Sequence, residues 1–175
     1  MWWGLVALIA AQPENMGPYA IEEIDAGNVI ADGVEIPTRI FAPMANERFP
    51  VVGVIHGFFR NGSYQRLMAQ TFASRGFVAV VPDMPCGLAG CDHEANARQL
   101  KALLEWAVTQ SPAADRIDGE RRALVGHSWG GLAVHLATTM DPTIDVLVAL
   151  VPNDDRDAAY DVAPSILIPS ATVIA

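Results

Sequence analysis

The sequence is short of positive charge: 11 lysines and arginines stand against 20 aspartates and glutamates, for a formal net charge of -9. A surface of that sign repels phosphate backbones and offers no basic patch to anionic lipid, which argues against nucleic-acid binding. There is no membrane span, because the apolar start from Met1 to Ala11 falls well below the ~20 residues a spanning helix needs. Internal repeats, low-complexity tracts and linker-like stretches are also missing, so no second domain is marked out. Cysteine is scarce, with only Cys86 and Cys91, and nearby only Asp92 and His93 could complete a metal site. No metal and no cofactor is therefore expected.

What is present is a chain of 175 residues, 51% of them hydrophobic, enough for one domain with a real core. Residues 1–18 read as an N-terminal apolar segment and residues 19–175 as the domain. The segment resembles the apolar part of a secretory signal, although no Lys or Arg precedes it. The other reading is an element that packs on the domain. The two cysteines have four residues between them, in a glycine-containing loop that bends enough to join them, and a bridge there would stabilise by roughly 2 kcal/mol. Two free thiols are the alternative. A disulfide and a signal would agree on a secreted or periplasmic protein, and free thiols on a cytoplasmic one. Nothing in the sequence fixes an oligomeric state.

Residues 20–41 read as two strands joined at Asp32-Gly33, a favoured hairpin turn. Pro50 to His56 is apolar throughout, as a strand buried on both faces is. Ser63 is placed to cap a helix carrying Leu67, Met68, Thr71 and Phe72 on one side, with Gly76 ending it. Phe77 to Val81 is a second buried strand. Asp92 caps a helix over about 93–109, in which Leu100, Leu103, Leu104 and Ala107 form a stripe. Residues 122–126 give a third buried strand, 129–140 a helix, Val146 to Val151 a fourth strand, and Ser165 onward a fifth. Apolar strands alternating with helices predict an α/β fold, a mostly parallel sheet with helices on both faces.

Between the strand at Arg122 and the helix at Leu132 lies Gly126-His127-Ser128-Trp129-Gly130-Gly131. A G-x-S-x-G set on so sharp a strand-to-helix turn forces its serine into a strained backbone and lifts the hydroxyl to the sheet edge. The helix start adds a positive dipole end. Ser128 is thus the candidate nucleophile. An oxyanion hole needs one N–H from the residue after it, Trp129, and one from the loop after an earlier strand. His56-Gly57-Phe58-Phe59 fits that loop, with Phe58 as donor and Phe59 next. Phe58, Phe59, Trp129 and Met84 would line an apolar acyl or aryl pocket, or else belong to the core.

Together with Arg75-Gly-Phe-Val-Ala-Val-Val-Pro-Asp83, these motifs resemble the α/β-hydrolase superfamily, and within it the chlorophyllase, dienelactone-hydrolase and polyester-hydrolase (cutinase-like) branches. The resemblance covers residues from about 20 to the end. It implies hydrolysis of a small-molecule or polymeric carboxylic ester by a Ser-acid-His triad. It also puts Phe58 and Trp129 at the two oxyanion positions of polyester hydrolases. Chain order in this fold is serine, acid, histidine. Asp154 is the first candidate acid and Asp155 the second, by likeness to chlorophyllases; a solvated turn is the plainer reading of both.

All four histidines precede them. His56 ends a strand, His93 opens a helix, His127 sits inside the nucleophile turn, and His135 lies about 10 Å further along the helix. None stands where a triad base belongs. The chain also stops within the apolar run Ile166 to Ala175. The expectation is an esterase truncated at its C-terminus, its last strand and helix missing, with little activity of its own. The alternative is a degenerate, non-catalytic relative kept as a binding protein.

Overall fold

The computed structural model describes residues 16–86, 90–152 and 163–173. Its centre is a seven-stranded sheet in the order β1-β2-β4-β3-β5-β6-β7. Strands β1 (Ile21–Ala31) and β2 (Val34–Pro43) form the expected hairpin. Asp32 and Gly33 both take positive φ (50° and 77°), as a tight two-residue turn matching the strand twist requires. Strands β3 (Phe49–Ile55), β4 (Val78–Pro82), β5 (Ile117–His127), β6 (Val146–Leu150) and β7 (Ser170–Val173) run parallel to one another, and β2 meets β4 antiparallel.

Alternation along the central strands feeds two cores. Val51 and Ile55 of β3, Leu124 of β5 and Leu147 of β6 point to one face, which is covered by helices α2 (His93–Thr109) and α3 (Trp129–Met140). Val52, Val54, Ala123, Val125, Val146 and Val148 point to the other, where helix α1 (Arg66–Ser74) contributes Ala69, Phe72 and Ala73. The sheet is therefore mostly parallel with helices on both faces, as expected. Leu100, Leu103, Leu104 and Ala107 of α2 are all buried, and Asp92 caps that helix through Ala95 N–H at 2.9 Å. Helix α1 closes with Gly76 at φ 88°. Phe77 N–H returns to Phe72 O (3.2 Å), Gly76 N–H to Ala73 O (3.1 Å), and the two phenyl rings meet edge to face at 5.9 Å.

Three boundaries differ from the sequence reading. Ser63 is not the cap before α1: Asn61 accepts from Ser63 N–H at 3.1 Å and opens a 3₁₀ turn, Gly62–Gln65, ahead of the helix, and Leu67 faces solvent. β5 begins at Ile117 and not at 122; its polar first half holds an irregularity in the pairing with β3, which passes from Pro50–Asp118 to Val51–Arg122, and there Arg121 pairs with Asp118 at 2.6 Å. The last strand starts at Ser170 and not at Ser165, which ends the 3₁₀ turn Ala163–Ser165. Pro164 and Pro169 in that stretch lack the N–H a ladder needs.

Candidate active site

Parallel strands deliver their C-terminal ends to one edge, and the segments leaving β3, β4, β5 and β6 meet there. Ser128 sits between β5 and α3 with φ 53° and ψ -118°, a conformation comfortable only for glycine. Holding a serine there costs about 1–3 kcal/mol, which the surroundings must outweigh. They do so at several points. Ser128 N–H donates to Leu150 O at the end of β6 (2.9 Å), and Ser128 O accepts from Gly131 N–H (2.8 Å). A Cβ on Gly126 would run into the Gly130 backbone, and one on Gly130 would stand 2.5 Å from His56 O. The turn is packed so tightly that two of its glycines have no room for a side chain.

Trp129 is the first residue of α3, where an N–H has no partner one turn back. Among the described residues neither Trp129 N–H nor Phe58 N–H donates to a backbone carbonyl. Phe58 lies in a turn closed by Arg60 N–H to Gly57 O (3.2 Å), with Phe59 left-handed at φ 54° and 74% exposed. The turn is held beside Ser128: a Cβ on Gly57 would come within 3.2 Å of Ser128 Cβ. Phe58 stacks on Trp129 (centroids 4.9 Å, 27°) and touches Phe59 (3.9 Å), while His93 stacks on Trp129 in turn (4.8 Å, 28°). Four rings from three elements thus surround the exit of Ser128. Met84 does not join them. It is buried in the core, lining with Trp129, Asn96 and both cysteines a cavity of about 10 Å³, too small for a substrate group.

Two of the histidines are committed to structural roles. His56 is buried; its Nδ1–H donates to Gly57 O (2.8 Å) and its Nε2 accepts from Met84 N–H (2.9 Å), which fixes the neutral tautomer. His135 is buried on α3 with Nδ1 2.7 Å from Gly131 O. His127 is exposed beside the nucleophile, and His93 lies against Trp129. None is hydrogen-bonded to Ser128 among the described residues. Asp154 and Asp155 lie outside the described residues. Buried Asp141 caps its own turn through Thr143 at the far end of α3, away from Ser128. Cys86 and Cys91 are joined as a disulfide, their Cα atoms 4.3 Å apart. Sequence reasoning missed the brace from Met84 to His56 and the stack of His93 on Trp129. Its only signal was that His93 follows Cys91 by two residues at a helix start.

No cluster of three or more metal-ligating side chains occurs among the described residues, and none of their helices is long and apolar enough to cross a membrane. A family model described as PET hydrolase-like matches residues 7–174, beginning inside the segment the sequence sets apart at 1–18. Cutinase est2 of Thermobifida alba is 30% identical over 138 residues, covering 78% of this chain and 45% of that protein. Cutinase cut1 of Thermobifida fusca is likewise 30% identical, over 78% of this chain and 42% of its own length. Chlorophyllase-1 of Arabidopsis thaliana is 29% identical over 62% of this chain and 36% of its own. The chain spans about half the length, or less, of these curated relatives.

Proposed function

The chain belongs to the PET hydrolase-like family, and from that premise we propose that it is the nucleophile-bearing part of a carboxylic-ester hydrolase. Ser128 Oγ gives its proton to a general base and attacks the acyl carbon; the carbonyl oxygen becomes an oxyanion that accepts from Trp129 N–H and Phe58 N–H; the ester C–O bond then breaks, the alcohol leaves with that proton, and water hydrolyses the acyl-enzyme that remains. The observation that carries this reading is the backbone of Ser128, strained at φ 53° and ψ -118° at the start of a helix. Strain of this kind persists where it serves to present a group. The N-terminus of α3 adds its dipole to the developing charge.

The triad acid is proposed to be Asp154, with Asp155 second. His56 and His135 are held by backbone groups and none of the four imidazoles is hydrogen-bonded to Ser128 among the described residues, so the general base is proposed to come from a histidine outside these 175 residues. The chain by itself then hydrolyses little. Phe58, Phe59 and Trp129 offer an apolar surface to the acyl or aryl part of a small or polymeric ester. The Cys86–Cys91 disulfide supports a secreted or periplasmic enzyme.

The test is hydrolysis of p-nitrophenyl butyrate, with fluorophosphonate labelling, by this chain and by a form extended to include the downstream histidine. The extended form should be faster by about 10⁴-fold or more, the usual effect of a missing triad member, and Ser128→Ala should abolish both turnover and label. Turnover unaffected by Ser128→Ala would overturn the reading, and no turnover or label even in the extended form would leave the non-catalytic binding protein in its place.

A further inference from the structure

Both N–H groups assigned to the oxyanion belong to elements that lean on one short segment, from Met84 to His93. At its start, Met84 N–H holds His56 Nε2 (2.9 Å), and His56 Nδ1–H holds Gly57 O (2.8 Å), the residue before Phe58. At its end, the His93 ring lies 4.8 Å from that of Trp129, and a Cβ on Gly90 would sit 3.6 Å from the outer edge of the indole. The disulfide between Cys86 and Cys91 ties the two ends together, and both cysteines line the small cavity shared by His56, Met84 and Trp129. The crosslink therefore fixes how far the brace on the Phe58 turn stands from the brace on Trp129.

We propose that the Cys86–Cys91 disulfide is a positioning element of the oxyanion site. It touches neither substrate nor Ser128. It acts through His56 and through the Trp129 ring, keeping Phe58 and Trp129 stacked so that their N–H groups converge on one point. The proposal rests on the ester-hydrolase reading for its kinetic consequence but not for its structural one. Donor geometry misplaced by about 1 Å costs on the order of 10²-fold in rate. Loss of the crosslink is therefore expected to lower kcat by roughly 10- to 100-fold and to change KM little, because the substrate surface of Phe58 and Phe59 remains.

The experiment compares the full-length protein with Cys86→Ser/Cys91→Ser, and separately with native protein reduced by a water-soluble phosphine. In that reaction the disulfide takes two electrons and two protons to give two thiols, and the phosphine leaves as its oxide with oxygen from water. Two readouts are taken: p-nitrophenyl butyrate kinetics, and the near-ultraviolet circular dichroism of Trp129, assigned by difference against Trp129→Phe. The expected result is a fall in kcat at nearly constant KM, with loss of the Trp129 signal while far-ultraviolet dichroism is retained. Unchanged kcat and an unchanged Trp129 signal in the reduced native protein would overturn the proposal. If Ser128→Ala hydrolyses as fast as the native protein, the ester-hydrolase reading has failed. The Trp129 signal alone then decides: its collapse on reduction supports the positioning role and its persistence overturns it.

Discussion

Replacing Ser128 by glycine should stabilise the fold relative to replacing it by alanine. Both substitutions remove the hydroxyl, and Ser128 Oγ makes no hydrogen bond to an imidazole that would be lost. They differ in the Cβ. Alanine keeps it and with it the strain of φ 53° and ψ -118°, about 1–3 kcal/mol. Glycine removes that strain and gives back roughly 0.5–1 kcal/mol through its greater freedom in the unfolded chain. The difference favours glycine by about 1 kcal/mol, or roughly 3 °C in Tm for a domain of this size. Scanning calorimetry of the two variants side by side measures it, and urea titration gives an independent ΔΔG. At an ordinary N-cap glycine is already the better of the two, alanine costing about 0.5–2 kcal/mol and glycine a few tenths, so both effects point the same way. A Ser128→Gly protein that melts at or below Ser128→Ala would therefore refute the claim that the neighbours force this conformation.

Gly130→Ala should destabilise by 1–3 kcal/mol or more in urea titration, because its Cβ would stand 2.5 Å from His56 O and 2.9 Å from Ile55 O, backbone atoms that cannot swing aside; activity should fall with it, since α3 must back away from β3. Asp118 gives a pH dependence. Its partial burial raises its pKa, but the hydrogen bond from Arg121, the Glu120 N–H and the charges of Arg121 and Arg48 outweigh this and hold it below the usual 3.8. A depressed carboxylate contributes stability that is present above its unfolded pKa and lost as pH falls through the folded one. The stability difference between the native protein and Asp118→Asn should therefore be steady at neutral pH and shrink below about pH 4; a difference that grows on acidification would contradict the assignment.

The parts of the fold legible in sequence were those fixed by one periodicity or one steric demand. Val51 to Ile55 had to be a strand buried on both faces, and it is, each side chain feeding one of two cores. Gly126, Gly130 and the serine between them had to form a turn too tight for side chains, and they do. What escaped depended on distant partners or on local competition. Asn61 outcompeted Ser63 because both are good caps and only the 3₁₀ turn between them decides which carbonyl and amide are left over. The polar residues Asp118 to Arg122 hid the first half of β5, since the irregular pairing with β3 there breaks the apolar pattern. His56 and Met84, 28 residues apart, meet only because β3 and β4 are neighbours in the sheet. The candidate acids Asp154 and Asp155 lie outside the described residues.

The amide of Ser128 donates to a carbonyl 22 residues downstream, at Leu150, and Gly131 abuts Pro152, where a Cβ would come within 2.9 Å of Cα. The turn is not self-sufficient, then: part of what holds the serine in its conformation comes from β6 and the residue after it. The bond and the packing that hold the turn need the chain as far as residue 152, which is synthesised after the motif itself. The strain at Ser128 is thus imposed from outside the motif that carries it, by the strand that follows.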